Sequence, residues 1–255
     1  MGLNGFCISG AQMFNLRFSR EMALKEISVE GYEILRKSSV SVVGIGATGS
    51  PVADLFARAG IGKIQIIDGD TVDISNIHRQ VLFTECDVNR KKADAAYNRL
   101  HDINGNCEVD AVAEFITPEN IKAVLGKPSV VIDGTDNMDT RRLINRYCIE
   151  SGIPWVFISS IGTVSQVKAI VPGKTSCLDC FIDRDAKYNM SCEETGVLAS
   201  APVIASSIAW TIAVKILMGK DVDGDLIHID PWQLSMEKVR INKNPECPTC
   251  GRPGK

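Results

Sequence analysis

Hydrophobic and polar positions change period along this chain, and the changes mark its elements. Between residues 14 and 37, charged Arg17, Arg20, Glu21, Lys25, Glu26, Glu30, Glu33, Arg36 and Lys37 alternate with Phe18, Met22, Leu24, Ile27, Ile34 and Leu35, which predicts one or two amphipathic helices. Short apolar runs then alternate with helical stretches. The pattern predicts strands over 40–45, 63–68, 107–112, 130–132 and 155–159, with helices over 50–59, 88–103 and 139–150 and a short one capped by Thr117 with Pro118 in its first position. Such βα alternation implies an α/β, doubly wound, mainly parallel sheet whose connections are right-handed. After Gly162 the pattern changes: strands over 163–171, 226–229 and 233–241, with one buried helix from near Pro202 to Gly219, predict an antiparallel extension. No repeat or linker interrupts the chain, so a single domain over 1–255 is expected, with helices over 1–38, a first sheet half over 39–160 and an antiparallel half over 161–255.

Composition narrows the class. A 45% apolar and 23% charged chain is globular, and a net charge of −3 with no basic run beyond Arg90-Lys91-Lys92 argues against a dedicated nucleic-acid binder. Residues 1–12 lack a basic start and a convincing apolar run, so a cytoplasmic setting is expected. Residues 197–214 carry no charge over eighteen positions, the length of a membrane span, but Ser200, Pro202, Ser206, Ser207, Thr211 and several alanines read as a buried helix instead.

The candidate chemistry begins at the first βαβ unit. Gly44, Gly46 and Gly49 form GxGxxG, which permits a tight turn, close backbone approach to phosphate oxygens and close packing of helix on strand. Asp68 follows at a strand's C-terminal end, where a carboxylate reaches a ribose; the bland alternative is a βαβ turn whose glycines serve packing only. The polar segment after Asp70 holds Asp73, Asn76, His78, Arg79 and Gln80 where open α/β sheets keep their ligands. Arg90, Lys91 and Lys92 are expected in the first turn of a helix with Asp87 as N-cap, where cations oppose the helix dipole. They are either a solvated run or the partners of an anion. Asp133-Gly134-Thr135-Asp136-Asn137 ends another strand at the same crevice.

Nine cysteines include two CxxC pairs, Cys177/Cys180 and Cys247/Cys250, with 66 residues between them. Two such knuckles suit a closed four-thiolate zinc site, structural rather than catalytic; the alternative is two unrelated thiol pairs. Cys7, Cys86, Cys107 and Cys148 read as small buried or partly buried hydrophobes. Cys192, in the polar stretch 183–196, is a candidate nucleophile or a chance surface cysteine, and Glu193 and Glu194 beside it would raise its pKa.

Together the glycine loop 44–49, Asp68-Gly69-Asp70, Ser75-Asn76-Ile77-His78-Arg79-Gln80, Lys92, Thr135-Asp136-Asn137, both CxxC pairs and a late crossover-loop cysteine resemble the ThiF/MoeB/HesA family from about Leu16 to Cys250. These adenylating enzymes are related to the ubiquitin-activating enzymes. The resemblance implies a Rossmann-like fold in which ATP and the C-terminal glycine carboxylate of a small ubiquitin-fold sulfur carrier ending in Gly-Gly give an acyl-adenylate and pyrophosphate. It makes Asp68 the ribose acid, Asn76 and Arg79 the phosphate pair, Lys92 the cation on ATP phosphates and Asp136 the magnesium carboxylate. Asp70 and Asn137 fall in the matching nucleotide motifs. Arg20 resembles an arginine delivered to a partner subunit, implying a homodimer with composite sites, and Cys192 matches a cysteine used by some members for a covalent carrier adduct. No sulfurtransferase segment is recognised after the zinc knuckle, so sulfur is expected from an external donor. The Ala47-Thr48 pair departs from the usual glycine-rich filling. Three rivals remain: an NAD-dependent oxidoreductase, sharing GxGxxG and the acid; a non-catalytic subunit of an activating heterodimer; and, within the family, a tRNA threonylcarbamoyladenosine dehydratase.

Overall fold

The computed structural model describes residues 10–183 and 195–251. Two N-terminal helices, α1 (Gly10–Met22) and α2 (Ser28–Leu35), precede β1 (Ser39–Val43), α3 (Gly49–Ala59), β2 (Lys63–Ile67), α4 (Lys92–Ile103), β3 (Glu108–Val112), α5 (Ile121–Leu125), β4 (Val130–Asp133), α6 (Met138–Ser151), β5 (Trp155–Ile161) and β6 (Val164–Ile170). Then come α7 (Ser200–Leu217), β7 (Leu226–Asp230) and β8 (Ser235–Val239). The strands form one eight-stranded sheet in the order β3-β2-β1-β4-β5-β6-β7-β8. Pairs among β1 to β5 are parallel. From β5 onward they are antiparallel, as the change of pattern after Gly162 predicts.

Both faces of the parallel half are covered, and strand alternation shows how. Val40, Val42, Ile64, Ile66, Val130, Ile132, Val156 and Ile158 bury themselves with Val52 and Phe56 of α3 and with Ala205, Ala209 and Ala213 of α7. Val43, Ile67, Val131, Trp155 and Phe157 point the other way, toward Ile121 and Leu125 of α5 and Ile144 and Cys148 of α6. The period of two therefore sorts each strand between two helical layers. Helix α7 is, among the described residues, the one helix long and apolar enough to cross a membrane. Its small residues instead let it lie close on the sheet, and buried Ser206 Oγ donates to Thr48 O at 2.7 Å, tying α7 to the glycine turn.

Strand order reverses between β1 and β4, and a crevice opens beyond their C-terminal ends, the place where doubly wound sheets bind ligands. Strand ends meet there closely. Gly44 N–H donates to Ile67 O at 2.8 Å and Gly134 N–H to Val43 O at 2.7 Å. A Cβ on Gly134 would lie 2.3 Å from Gly44 O, and one on Gly49 would lie 1.8 Å from the same atom. Glycine is needed at both positions because three backbones touch. Gly60, at φ 75°, ends α3 as expected.

One expectation fails at α4. The helix starts at Lys92, not near Val88, because Asn89 turns to φ 70° and the chain before it pairs with the segment after β2. Val72 and Asn89–Arg90 exchange backbone bonds at 2.9 Å, and Thr71 bridges Lys91. Asp87 caps nothing on α4; its carboxylate accepts from Thr84 N–H and Oγ–H at 2.9 Å, closing a separate short turn.

Candidate active site

A cavity of about 940 Å³ occupies the crevice and gathers Gly44, Gly46, Asp68, Asp70, Arg79, Lys92, Asp136 and Asn137. All but Arg79, which comes from the connection between β2 and α4, lie just past a strand end or at a helix start. At the end of β2, Asp68 is nearly buried; its Oδ2 accepts Ile45 N–H at 2.7 Å and its Oδ1 accepts Asp70 N–H at 2.8 Å. Burial pushes this carboxyl above its usual range, against the pull of the Lys92 ammonium and those two backbone bonds. The acid is thereby fixed in direction before any ligand arrives. Lys92, at the first position of α4, is buried and donates to Asp70 Oδ2 at 3.0 Å. A cation at a helix N-terminus is unfavourable by itself, and the Asp70 carboxylate offsets that. Lys91 is drawn to Gly69 O at 2.7 Å and Arg90 to Asp87 at 2.8 Å, so of the three basic residues only Lys92 faces the crevice. Arg79 reaches the cavity while holding Ser75 O at 2.6 Å.

The β4 end is held from behind. Asp133, fully buried, accepts Thr135 N–H at 3.0 Å and Thr135 Oγ–H at 2.6 Å on Oδ1, and Arg141 Nε–H at 3.1 Å on Oδ2. Burial pushes Asp133 upward, countered by the Arg141 guanidinium and the Thr135 bonds. Arg141 also donates to Thr135 O and, at 3.0 Å, to Ile158 O, and lies 5.2 Å above the Phe157 ring centroid. This arginine fixes the turn that presents Asp136. Asn137 lines the cavity, but its Oδ1 caps α6 by accepting Asp139 N–H at 2.8 Å and Thr140 N–H at 3.1 Å.

Several expected residues stand elsewhere. Asn76 is outside the cavity: its Oδ1 accepts Asp73 N–H at 3.3 Å in a reciprocal cap of the short 74–76 turn. Gly49 serves helix-on-strand packing rather than the cavity wall. Arg20, in the last turn of α1, is exposed and does not line the cavity. Cys192 lies outside the described residues. Residues that the sequence did not single out also converge here. They are Arg141 and Phe115; Gln80, expected in this polar segment, is buried at the cavity and its side-chain carbonyl makes no hydrogen bond. An Asp at a strand end followed eight residues later by an Arg one helical turn into α6 is a signal for the Asp133–Arg141 pair.

The crevice fits a nucleotide. A Cβ at Gly46 would meet nothing closer than 3.8 Å, so the floor is open backbone, and the Gln80 carbonyl is a buried acceptor awaiting a donor. Four carboxylates line the cavity against three cations, Arg79, Lys92 and Arg141. A polyphosphate bound there would need additional positive charge.

On the α5–α6 face the two CxxC pairs come together. Cys177 Sγ lies 3.9 Å from Cys180 Sγ and 3.6 Å from Cys247 Sγ, and Cys180 Sγ lies 3.4 Å from Cys250 Sγ. All four sulfurs are within 4.8 Å of one another. A tetrahedral zinc with Zn–S near 2.3 Å has sulfur edges of about 3.8 Å, so the residues fit such an ion. Asp179, inside the first pair, accepts from Thr249 Oγ inside the second, and Asn145 of α6 takes Leu178 N–H at 3.2 Å. The first knuckle is thus seated on the helix whose start borders the crevice. Burial pushes the Cys250 thiol up to about 11, whereas Cys247, despite burial, is held lower by backbone hydrogen bonds from Cys250 and Thr249. Cys107 and Cys148 are buried as expected; Cys86 is exposed, a correction to its reading as a hydrophobe, because the 85–87 turn projects from the surface. Cys7 lies outside the described residues.

A glycine turn, a strand-end acid and inward-facing cations around a crevice at a strand-order switch define a doubly wound α/β protein with its candidate site at the switch point. The chain belongs to the ThiF family, which it matches over residues 18–249. It is similar to the sulfur carrier protein ThiS adenylyltransferase of Bacillus subtilis, 33% identical over 239 residues that cover 92% of this chain and 71% of that protein. A sulfur carrier protein adenylyltransferase of Thermus thermophilus is 34% identical over 244 residues, covering 92% and 90%. Among solved structures, Escherichia coli MccB with MccA-N7isoASN shares the fold at a TM-score of 0.82 and 21% identity, over 93% of this chain and 75% of that one.

Proposed function

We propose that this protein is an adenylyltransferase for the C-terminal glycine of a small ubiquitin-fold sulfur carrier. The observation that carries the reading is one cavity holding the glycine turn with Asp68, Arg79, Lys92 and Asp136, in a chain of this family. An oxygen of the carrier's terminal carboxylate attacks the α-phosphorus of ATP, the bond from that phosphorus to the bridging oxygen breaks, and pyrophosphate leaves with the electron pair. The attacking group is already an anion, so the site needs fixed cations rather than a base. Asp68 orients the ribose; Arg79 and Lys92 balance phosphate charge; the α3 N-terminus adds its dipole.

Because carboxylates outnumber cations at the cavity, magnesium arriving with ATP and held by Asp136 fits the need, and so does Arg20 supplied in trans across a homodimer. Asn76 would join the phosphate contacts only by releasing its turn cap. The sulfur donors of the tetracysteine cluster favour zinc as its ion, with a closed coordination shell and so a structural role. Covalent carrier transfer at Cys192, an external sulfur donor and a cytoplasmic setting belong to the same reading.

The test is exchange of labelled pyrophosphate into ATP. Exchange should require a Gly-Gly-terminated carrier and disappear in Asp136→Ala, while Cys192→Ala removes any covalent carrier adduct. Equal exchange with and without every candidate carrier refutes the substrate, and thermal stabilisation by NAD but not by ATP with magnesium refutes the reaction.

A further inference from the structure

Phe115 stands out because it is 63% exposed, yet it borders the same cavity as Asp68 and Asp70. A large apolar ring left in water would be unremarkable by itself; the backbone that carries this one is anchored. Asn120 Nδ2 donates to Phe115 O at 2.9 Å, Asn120 Oδ1 accepts Thr117 N–H at 2.7 Å, and neighbouring Ile116 is buried beneath. One face of the ring is already covered. A Cβ on Gly69 would lie 2.6–2.8 Å from Cδ2, Cε2 and Cγ of Phe115, so the ring lies across the Gly69 backbone and only glycine leaves room for it. Gly69 is itself fixed through its carbonyl by Lys91 Nζ at 2.7 Å and sits between the two acids of the Asp68-Gly69-Asp70 segment.

Given that Asp68 binds the ribose, the position of the ring has a chemical meaning. The 2′-hydroxyl that a carboxylate grips is next to C1′, the carbon bearing the base. The base therefore falls on the flank of Asp68, where Phe115 offers a π-face. We propose that Phe115 is the stacking wall for the nucleotide base and that Gly69 exists to admit it, the pair favouring a purine over a pyrimidine. This rests on the adenylation reading of the crevice. Stacking rewards the larger π-surface without reading base edges, so it sorts by ring size and leaves adenine against guanine to other contacts.

The test measures ATP and CTP affinity, with magnesium, in the full-length protein by titration calorimetry, and KM for ATP in pyrophosphate exchange. Phe115→Ala should weaken ATP about ten- to a hundredfold, the usual range for losing one base stack, with the loss on KM rather than kcat and with the ATP-over-CTP preference collapsing. Phe115→Trp should restore both. Gly69→Ala, which drives a methyl into the ring, should reproduce the KM rise, and Phe115→Ala/Gly69→Ala should be no worse than Phe115→Ala alone, since both act on one contact. Unchanged ATP affinity and base preference in Phe115→Ala overturn the stacking role while leaving adenylation standing. A wild-type protein that binds no nucleoside triphosphate overturns both.

Discussion

Replacing Arg141 by Met tests how the Asp136 turn is held. The guanidinium is the counter-charge of Asp133, which is fully buried, and it also satisfies the carbonyls of Thr135 and Ile158. Removing one partner of a buried pair strands the other charge, at about 3–5 kcal/mol. Two further carbonyls lose a donor, but Asp133 Oδ1 keeps both Thr135 bonds and the carboxyl can take up a proton, so a loss of about 3–4 kcal/mol is expected. With a urea m-value of about 3 kcal/mol/M, the unfolding midpoint falls by about 1 M. The pH dependence has a definite sign. Burial already raises Asp133, and loss of the arginine raises it further. Between the unfolded value of about 3.9 and that raised value the folded state holds the extra proton, so stability falls as pH rises. The variant should therefore recover part of its deficit relative to wild type between pH 7 and pH 5. Asp133→Asn/Arg141→Met, which removes the stranded charge, should be more stable than Arg141→Met at pH 7 by at least about 1 kcal/mol. A single variant within about 1 kcal/mol of wild type, or a double variant no better than the single, refutes the account.

Three further outcomes are expected. Elemental analysis should find one metal equivalent per chain, lost in Cys247→Ser or on strong chelation with a fall in melting temperature, because an ion held by four folded-state ligands stabilises only the folded chain; a metal-free protein with unchanged melting refutes the site. Exposed Cys86 should react with a thiol reagent at pH 8 well before Cys107, which burial pushes up to about 11 and which is then about one part in a thousand thiolate. The folded state keeps the Cys107 proton that the unfolded chain, with a thiol near 8.5, has lost, so stability should fall as pH rises from about 9 to 11, a slope that Cys107→Ala flattens.

Features with a local cause were legible in the sequence. The glycine turn, the Gly60 terminus and the alternating strands follow from backbone sterics and period, and the tetracysteine cluster from ligand spacing. Long-range competition hid the rest. Asp87 carries the chemistry of a helix cap, yet Thr84 claims it, and pairing of Thr71 with Lys91 delays α4. Asn76 is the right residue for a phosphate, but its carbonyl is spent on a local turn. Arg141 and Arg142 look alike in sequence; only the first has a buried acid beneath it at the end of β4. Phe115 reads as one more apolar residue until Gly69 is seen under its ring.

The interlocked CxxC pairs carry a consequence for which part of this protein an ion would hold. Their halves are 66 residues apart in the chain, and closing a loop of that length is an entropic cost that rises with its logarithm. Here α7 and the β6-β7-β8 pairings span that loop and bring the tail back to the first knuckle. An ion held there would act as a clasp on a loop that the sheet already closes, rather than as the nucleus of the fold. Its loss would free the tail beyond Ile241 first and leave the parallel half standing.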